Sequence, residues 1–226
     1  MKKIIIYIAG CLLGLSTSAQ VNYSGAYGYS FPPIGDSPKN ENAKGASGSL
    51  VLLKMENNKY RFWLDVTIGW PSYNMGETDG TITFVNDTAS FDNSFEDASA
   101  PCILKFRIKG DVITIDSKSS SFNCGFGNAV NADGDYTRLK NQPVFNNDWL
   151  KKEYNQSPTI VITADKATVY EDENCIYAKK QYFIKGDKLL SIAETEKTVY
   201  VEYIPSPGKF VYGWIKKTMI KETSAE

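Results

Sequence analysis

At 226 residues the chain can form one large domain or two small ones, and its Lys+Arg 25 against Asp+Glu 26 offers none of the basic excess that nucleic-acid or anionic-membrane binding draws on. Histidine is absent. That excludes Ser-His-Asp triads, Cys-His pairs and histidine zinc sites, each of which needs an imidazole as proton shuttle or ligand; no cofactor and no metal site is expected.

Met1-Lys2-Lys3 precedes an apolar run from Ile4 to Leu15 and then the small, polar Ser16-Thr17-Ser18-Ala19-Gln20. A positive start, an apolar core of roughly a dozen residues and small side chains at a cleavage site make a secretory signal peptide over residues 1–19, cut after Ala19. The run is too short for the ~20 residues of a membrane span. Ile8-Ala9-Gly10-Cys11 resembles a lipoprotein box, but the apolar run continues past Cys11, so lipidation is the weaker alternative. The expected location is periplasmic or secreted. Export leaves Cys102, Cys124 and Cys175. Cys102 and Cys124 are expected to pair, since both adjoin strand-like segments of the first domain; closing that loop stabilises by about 3 kcal/mol in the chain-entropy model. Cys175 is then the free thiol.

Residues 20–140 read as short alternating segments broken by Gly, Asn and Asp. Tyr60, Phe62, Leu64, Val66 and Ile68 share one face, while Arg61, Asp65 and Thr67 take the other. This period of two marks a strand with one buried face. Residues 50–55, 81–85, 103–108 and 112–115 read the same way. Glu56-Asn57-Asn58-Lys59 and Lys109-Gly110-Asp111 between them are hairpin turns, so neighbouring strands are antiparallel. No window before Pro143 has the apolar spacing of a long amphipathic helix. Roughly eight such strands predict a small N-terminal β-barrel or sandwich, the barrel preferred because closure removes exposed edges. The whole chain reads as all-β.

Residues 141–157, with Pro143, several Asn and Trp149-Leu150, read as a linker carrying one short helical turn. Strand-like pieces follow at 159–163, 167–170, 181–184, 188–193, 198–203 and 209–215. Ala167-Thr168-Val169-Tyr170, then Tyr182-Phe183-Ile184-Lys185-Gly186-Asp187-Lys188-Leu189, then Gly213-Trp214-Ile215-Lys216 resembles the bacterial SH3 (SH3b) family. In that family an early "vY" strand, a "Y-x-x-K-G-D-x-v" hairpin and a late "G-W-[IV]" strand come in this order. The resemblance covers residues 158–222. It implies an SH3-like barrel in an exported bacterial protein, appended to another domain and associated with binding a cell-wall peptide or a protein; it implies no activity. Glu171-Asp172-Glu173-Asn174-Cys175-Ile176 lengthens the loop after the first strand of this pattern, so the family's ligand groove is not carried over. The first domain is similar to small secreted β-barrel inhibitors only in its size, its disulfide and its Cys-Gly-Phe-Gly segment.

Several groups invite a chemical reading. Asp65, Glu77 and Asp79 could act as acid and base on a glycan, yet they fall on a polar strand face and in a Gly-rich turn, which predicts solvated side chains. Cys175 lies among Asp172, Glu173 and Asn174, and negative neighbours disfavour its thiolate. Asn131-Ala132-Asp133-Gly134-Asp135 spaces oxygens as a calcium loop does but lacks the terminal acid, and reads as a turn. Cys124-Gly125-Phe126-Gly127 reads as a structural corner. Gly69-Trp70-Pro71-Ser72-Tyr73-Asn74-Met75-Gly76 is the leading recognition loop, with Trp70, Tyr73 and Asn74 as candidate binding residues; the competing reading folds Trp70 over the barrel end as a plug. In the second domain Tyr170, Tyr182, Tyr203 and Trp214 are candidates for a ligand face, although some aromatic rings must fill so small a core. No catalytic residue is assigned. The resulting expectation is an exported, non-catalytic protein of the bacterial envelope whose SH3-like module, with the first β domain, binds a cell-wall component or an envelope protein. An inhibitor of a hydrolase, acting through the Trp70 loop, and a carboxylate-dependent glycan hydrolase are the alternatives.

Overall fold

The computed structural model describes residues 21–33, 43–94, 98–117, 121–154 and 157–222. Residues 1–20, which hold the expected signal peptide and Cys11, lie outside the described residues. Alternation of apolar and polar side chains becomes eight antiparallel strands: β1 (Gly25–Ser30), β2 (Ser47–Lys54), β3 (Lys59–Thr67), β4 (Met75–Thr83), β5 (Thr88–Asp92), β6 (Ile103–Lys109), β7 (Val112–Asp116) and β8 (Gly134–Arg138). Their order, β4-β3-β2-β1-β8-β7-β6-β5, puts sequence neighbours side by side and joins the first strand to the last through β1 and β8. The strands at the two ends of that order are linked by a tight turn, with Asn86 and Asp87 both at positive φ, as a two-residue hairpin requires. The sheet therefore curls into a nearly closed barrel. Leu50, Leu52, Tyr60, Phe62, Leu64, Leu104, Phe106 and Tyr136 are among the buried side chains that fill it, so its centre is a packed core rather than a ligand chamber.

The expected strand at 81–85 is the tail of a longer one. Glu77 and Asp79, placed in a Gly-rich turn by sequence, stand on β4. Gly76 and Gly80 face inward there: a Cβ on Gly76 would lie 2.5 Å from the Phe126 ring, and one on Gly80 2.4 Å from the Phe91 ring. These glycines make room inside a strand for rings arriving from elsewhere.

The second sheet comprises β9 (Thr159–Ile162), β10 (Lys166–Tyr170), β11 (Ala178–Ile184), β12 (Lys188–Glu194), β13 (Thr198–Ser206), β14 (Lys209–Lys216) and β15 (Ile220–Glu222), in the order β11-β10-β14-β13-β12-β9-β15. It forms a half-barrel around Ile160, Ile162, Val169, Phe183, Val201 and Ile215. The helix α1 (Asn147–Glu153) precedes it; Asn146 caps α1 by accepting a hydrogen bond from the Trp149 N–H at 2.8 Å.

The outer face of β3, expected to be solvated, is covered in part: Asp65 is exposed, but Trp63 is buried and Arg61 half-buried. Leu53 and Trp63 of the barrel pack with Leu150 of α1 and with Leu190, Ile204, Phe210 and Tyr212 of the second sheet in a third apolar cluster. The expected linker is docked into this arrangement over its described part, 141–154: Gln142 bonds both the N–H and the carbonyl of Ala26, and Asn147 accepts from the Ile204 N–H at 2.8 Å. At the margin of the cluster Arg61 donates to the Tyr154 hydroxyl and to Asp79, and lies 3.6 Å from the buried carboxylate of Glu202. The Tyr212 hydroxyl donates to Glu56 at 2.5 Å.

Candidate functional site: the long-loop rim of the barrel

An up-and-down barrel puts alternate connections at opposite ends. Here the connections after β2, β4 and β6 are tight turns, while those after β1, β3, β5 and β7 are long and gather at the other end. The recognition loop and the Cys-Gly-Phe-Gly corner, singled out separately in the sequence, meet in this rim.

Three long connections are tied together. Cys102, from the β5–β6 connection, is disulfide-bonded to Cys124 in the β7–β8 connection. Phe126 is buried against Gly76, the Gly127 N–H donates to the Met75 carbonyl at 2.9 Å, and the Asn74 side chain donates to the Asn128 carbonyl at 2.8 Å. These bonds fasten the Trp70 loop to the disulfide corner. The β1–β2 connection joins them, since the Trp70 N–H donates to the Lys44 carbonyl at 2.8 Å and the Lys44 N–H donates to the Tyr73 hydroxyl at 3.4 Å. Within the loop the Tyr73 N–H closes onto the Gly69 carbonyl at 2.7 Å.

From this braced base, Tyr73 is 43% exposed, Met75 68% and Phe122 86%. Trp70 and Asn74 are half-buried; Asn74 is spent on holding the corner. Met75 belongs to the recognition loop read from the sequence, although it was not among the named binding residues; Phe122 escaped that reading, and only its position beside the Cys-Gly-Phe-Gly corner could have signalled it. A cleft of about 250 Å³ adjoins the rim, lined in part by Tyr29, Phe31, Ile68 and Asp133. Asp133 accepts from the Ser117 N–H and hydroxyl, and Asp135 from Thr114. The oxygens of the calcium-like motif are thus engaged in building a turn, and no cluster suited to a metal ion occurs among the described residues.

The carboxylates Asp65, Glu77 and Asp79 do come together, in a second cleft of about 430 Å³ that Trp63, Tyr154 and Glu153 of α1 complete. Asp65 and Glu77 are directly opposite on β3 and β4. Burial and the Glu77 charge push the Asp65 carboxyl up, and burial with the Asp65 charge does the same to Glu153. Asp79 is held by Arg61.

The aromatic set of the second sheet divides. Tyr203 turns inward, edge-on to the Phe183 ring at 5.7 Å, and packs against the half-barrel core. Tyr170 is the register partner of Trp214, which is in turn the partner of Tyr200, so these rings form one row on the face that docks the barrel. Tyr182 lies beyond the row and is exposed. Cys175 is half-buried, and burial raises its thiol, which keeps it protonated.

In comparisons with family models, curated proteins and solved structures, nothing matches this chain. The SH3b resemblance rests on the residues quoted for it. No helix among the described residues is long and apolar enough to cross a membrane.

Proposed function

We propose that this is an exported, non-catalytic binding protein of the bacterial envelope, which engages a cell-wall component or an envelope protein through the rim around Trp70 and Tyr73. One observation carries the reading: two loops are locked by a disulfide and backbone hydrogen bonds, yet present Tyr73, Met75 and Phe122 to solvent. Large apolar side chains held rigidly outside the core lose little conformational entropy on binding and supply the contacts that dominate interfaces. A filled barrel and a chain without histidine favour binding over turnover.

The test is co-sedimentation of the leader-free protein with isolated peptidoglycan sacculi, beside Tyr73→Ala/Phe122→Ser. Pelleting of the parent, lost in the double variant, supports a wall ligand at the rim. A parent that stays in the supernatant removes the wall and leaves a protein partner. The inhibitor reading uses the same rim and predicts stoichiometric loss of activity in a muralytic hydrolase; a broad panel without inhibition sinks it. The cleft that gathers Asp65, Glu77, Asp79 and Glu153 supports a glycan hydrolase as a second reading, which predicts measurable glycan turnover that Asp65→Asn abolishes.

A further inference from the structure

The second sheet carries another surface, remote in sequence from the rim loops. Strand β11 is at the end of its sheet and pairs only with β10 among the described strands. Around it Ile176, Tyr177, Tyr182 and Ile184 are each more than half exposed. Solvated edges are ordinarily blunted and scattered apolar residues are ordinary, but four large ones along one edge form a patch of the kind that marks an interaction site.

The charge at this edge has one sign to spare. Lys166 lies 4.6 Å from the centroid of the Tyr182 ring, and Lys216 5.7 Å from that of Tyr170. Lys180, Lys185 and Lys188 are exposed along the same strand and the turn that follows it. None of these lysines joins any of the salt bridges seen among the described residues. Asp172 accepts from the N–H groups of Asn174, Ile176 and Tyr177 and Asp187 from that of Ile184; both keep their charge, and Glu171 and Glu173 are exposed near Ile176, so the positive excess is confined to the Tyr182–Ile184 end, where Lys166, Lys180, Lys185 and Lys188 outnumber Asp165 and Asp187. Register places Ile184 beside Lys166 and Tyr182 beside Thr168, so apolar side chains and ammonium groups alternate over one face.

We infer that this edge binds an extended, acidic segment of a partner protein. The segment lies along Tyr182 and Ile184, adds its backbone to the free side of β11, and sets its carboxylates against Lys166 and Lys180. Backbone pairing supplies affinity and the lysines supply the sign. A bulge in the β10–β11 register between Thr168 and Tyr170 leaves the Tyr182–Ile184 end as the regularly paired part of β11.

The experiment uses the full mature chain and a fluorescein-labelled nonapeptide of alternating glutamate and valine, with a lysine–valine peptide as control. Anisotropy at low salt is expected to show the acidic peptide bound about tenfold more tightly or better, and Lys166→Glu/Lys180→Glu is expected to reverse that preference. Backbone NMR shifts should concentrate in β10 and β11, and Tyr73→Ala/Phe122→Ser should leave binding unchanged, which separates this inference from the rim reading. Equal binding of the two peptides, an unchanged preference after charge reversal, shifts confined to the rim, or sedimentation showing a second copy on β11 would each overturn it.

Discussion

The barrel treats its two ends differently. Near the short turns, Met55, Val51 and Leu53 of β2 and Trp63 of β3 are packed by α1 and the second sheet, so side chains that alternate outward join a core. At the long-loop end equally apolar side chains stay in water, and the stabilising effort goes into the backbone and a disulfide beneath them. An outward aromatic residue is therefore structural or available for recognition according to what lies across from it. Trp63 and Phe122 are the two extremes.

The largest expected effect is at the covered side. Trp63 packs against Trp149 and Tyr154, so Trp63→Ala should cost about 3–5 kcal/mol of unfolding free energy, read by urea denaturation. Its indole nitrogen is buried without a hydrogen-bond partner, so Trp63→Phe, which keeps a ring and deletes that donor, should cost far less. Equal losses would mean that the cluster does not hold the two sheets together.

Breaking the disulfide tests the other end. Cys102→Ser/Cys124→Ser opens a loop of sequence separation 22 and should lower stability by about 3 kcal/mol. The loss should be local in its consequences: hydrogen exchange should rise in residues 69–76 and 122–128, while amides at the Trp63 cluster stay protected.

How much of this was legible follows from which interactions are local. The alternation through Tyr60–Ile82 pairs and their neighbours announced strands because each buried face is written in a single segment, and the Cys102–Cys124 pairing was readable because both residues adjoin strands of one domain. The first half of β4 was not, since Gly76 and Gly80 look like turn residues until Phe126 and Phe91 are known to fill the space above them. The outer face of β3 was legible only in part for the same reason: Asp65 is solvated as its pattern suggests, whereas Trp63 on the same face meets α1 and the second sheet, a contact that no alternation encodes. Tyr203 points inward because Phe183 lies across the sheet from it, a contact no local pattern encodes. Within the rim the sequence marked Trp70, Tyr73 and Asn74 but not their union with the disulfide corner.

The buried pair of Arg61 and Glu202 at the junction gives stability a pH signature. Burial pushes the Glu202 carboxyl from its ordinary 4.5 up to about 7, with Arg61 opposing the rise. A raised folded-state value means that folding takes up a proton, so this contribution is fully present below the ordinary carboxyl range and is lost as pH rises through about 7. The fall should amount to roughly 2–3 kcal/mol between acid and mildly alkaline solution. Glu202→Gln should flatten that slope, because the amide stays neutral while Arg61 keeps Tyr154 and Asp79. An unaltered slope would place the titration elsewhere.

The smallest effect is the one that matters most for recognition. Phe122 buries little, so Phe122→Ser should change stability by no more than about 0.5 kcal/mol, the range of surface substitutions that touch no special feature, while Tyr73→Ala, which also removes the hydroxyl that accepts from the Lys44 N–H, should cost about 0.5–1.5 kcal/mol. Thermal or urea unfolding of the two variants checks this directly. A loss this small is what allows any loss of binding by the same variants to be assigned to a missing contact rather than to a damaged barrel. If either substitution instead costs several times that amount, the side chain braces the rim, and the distinction between the two ends fails at that residue.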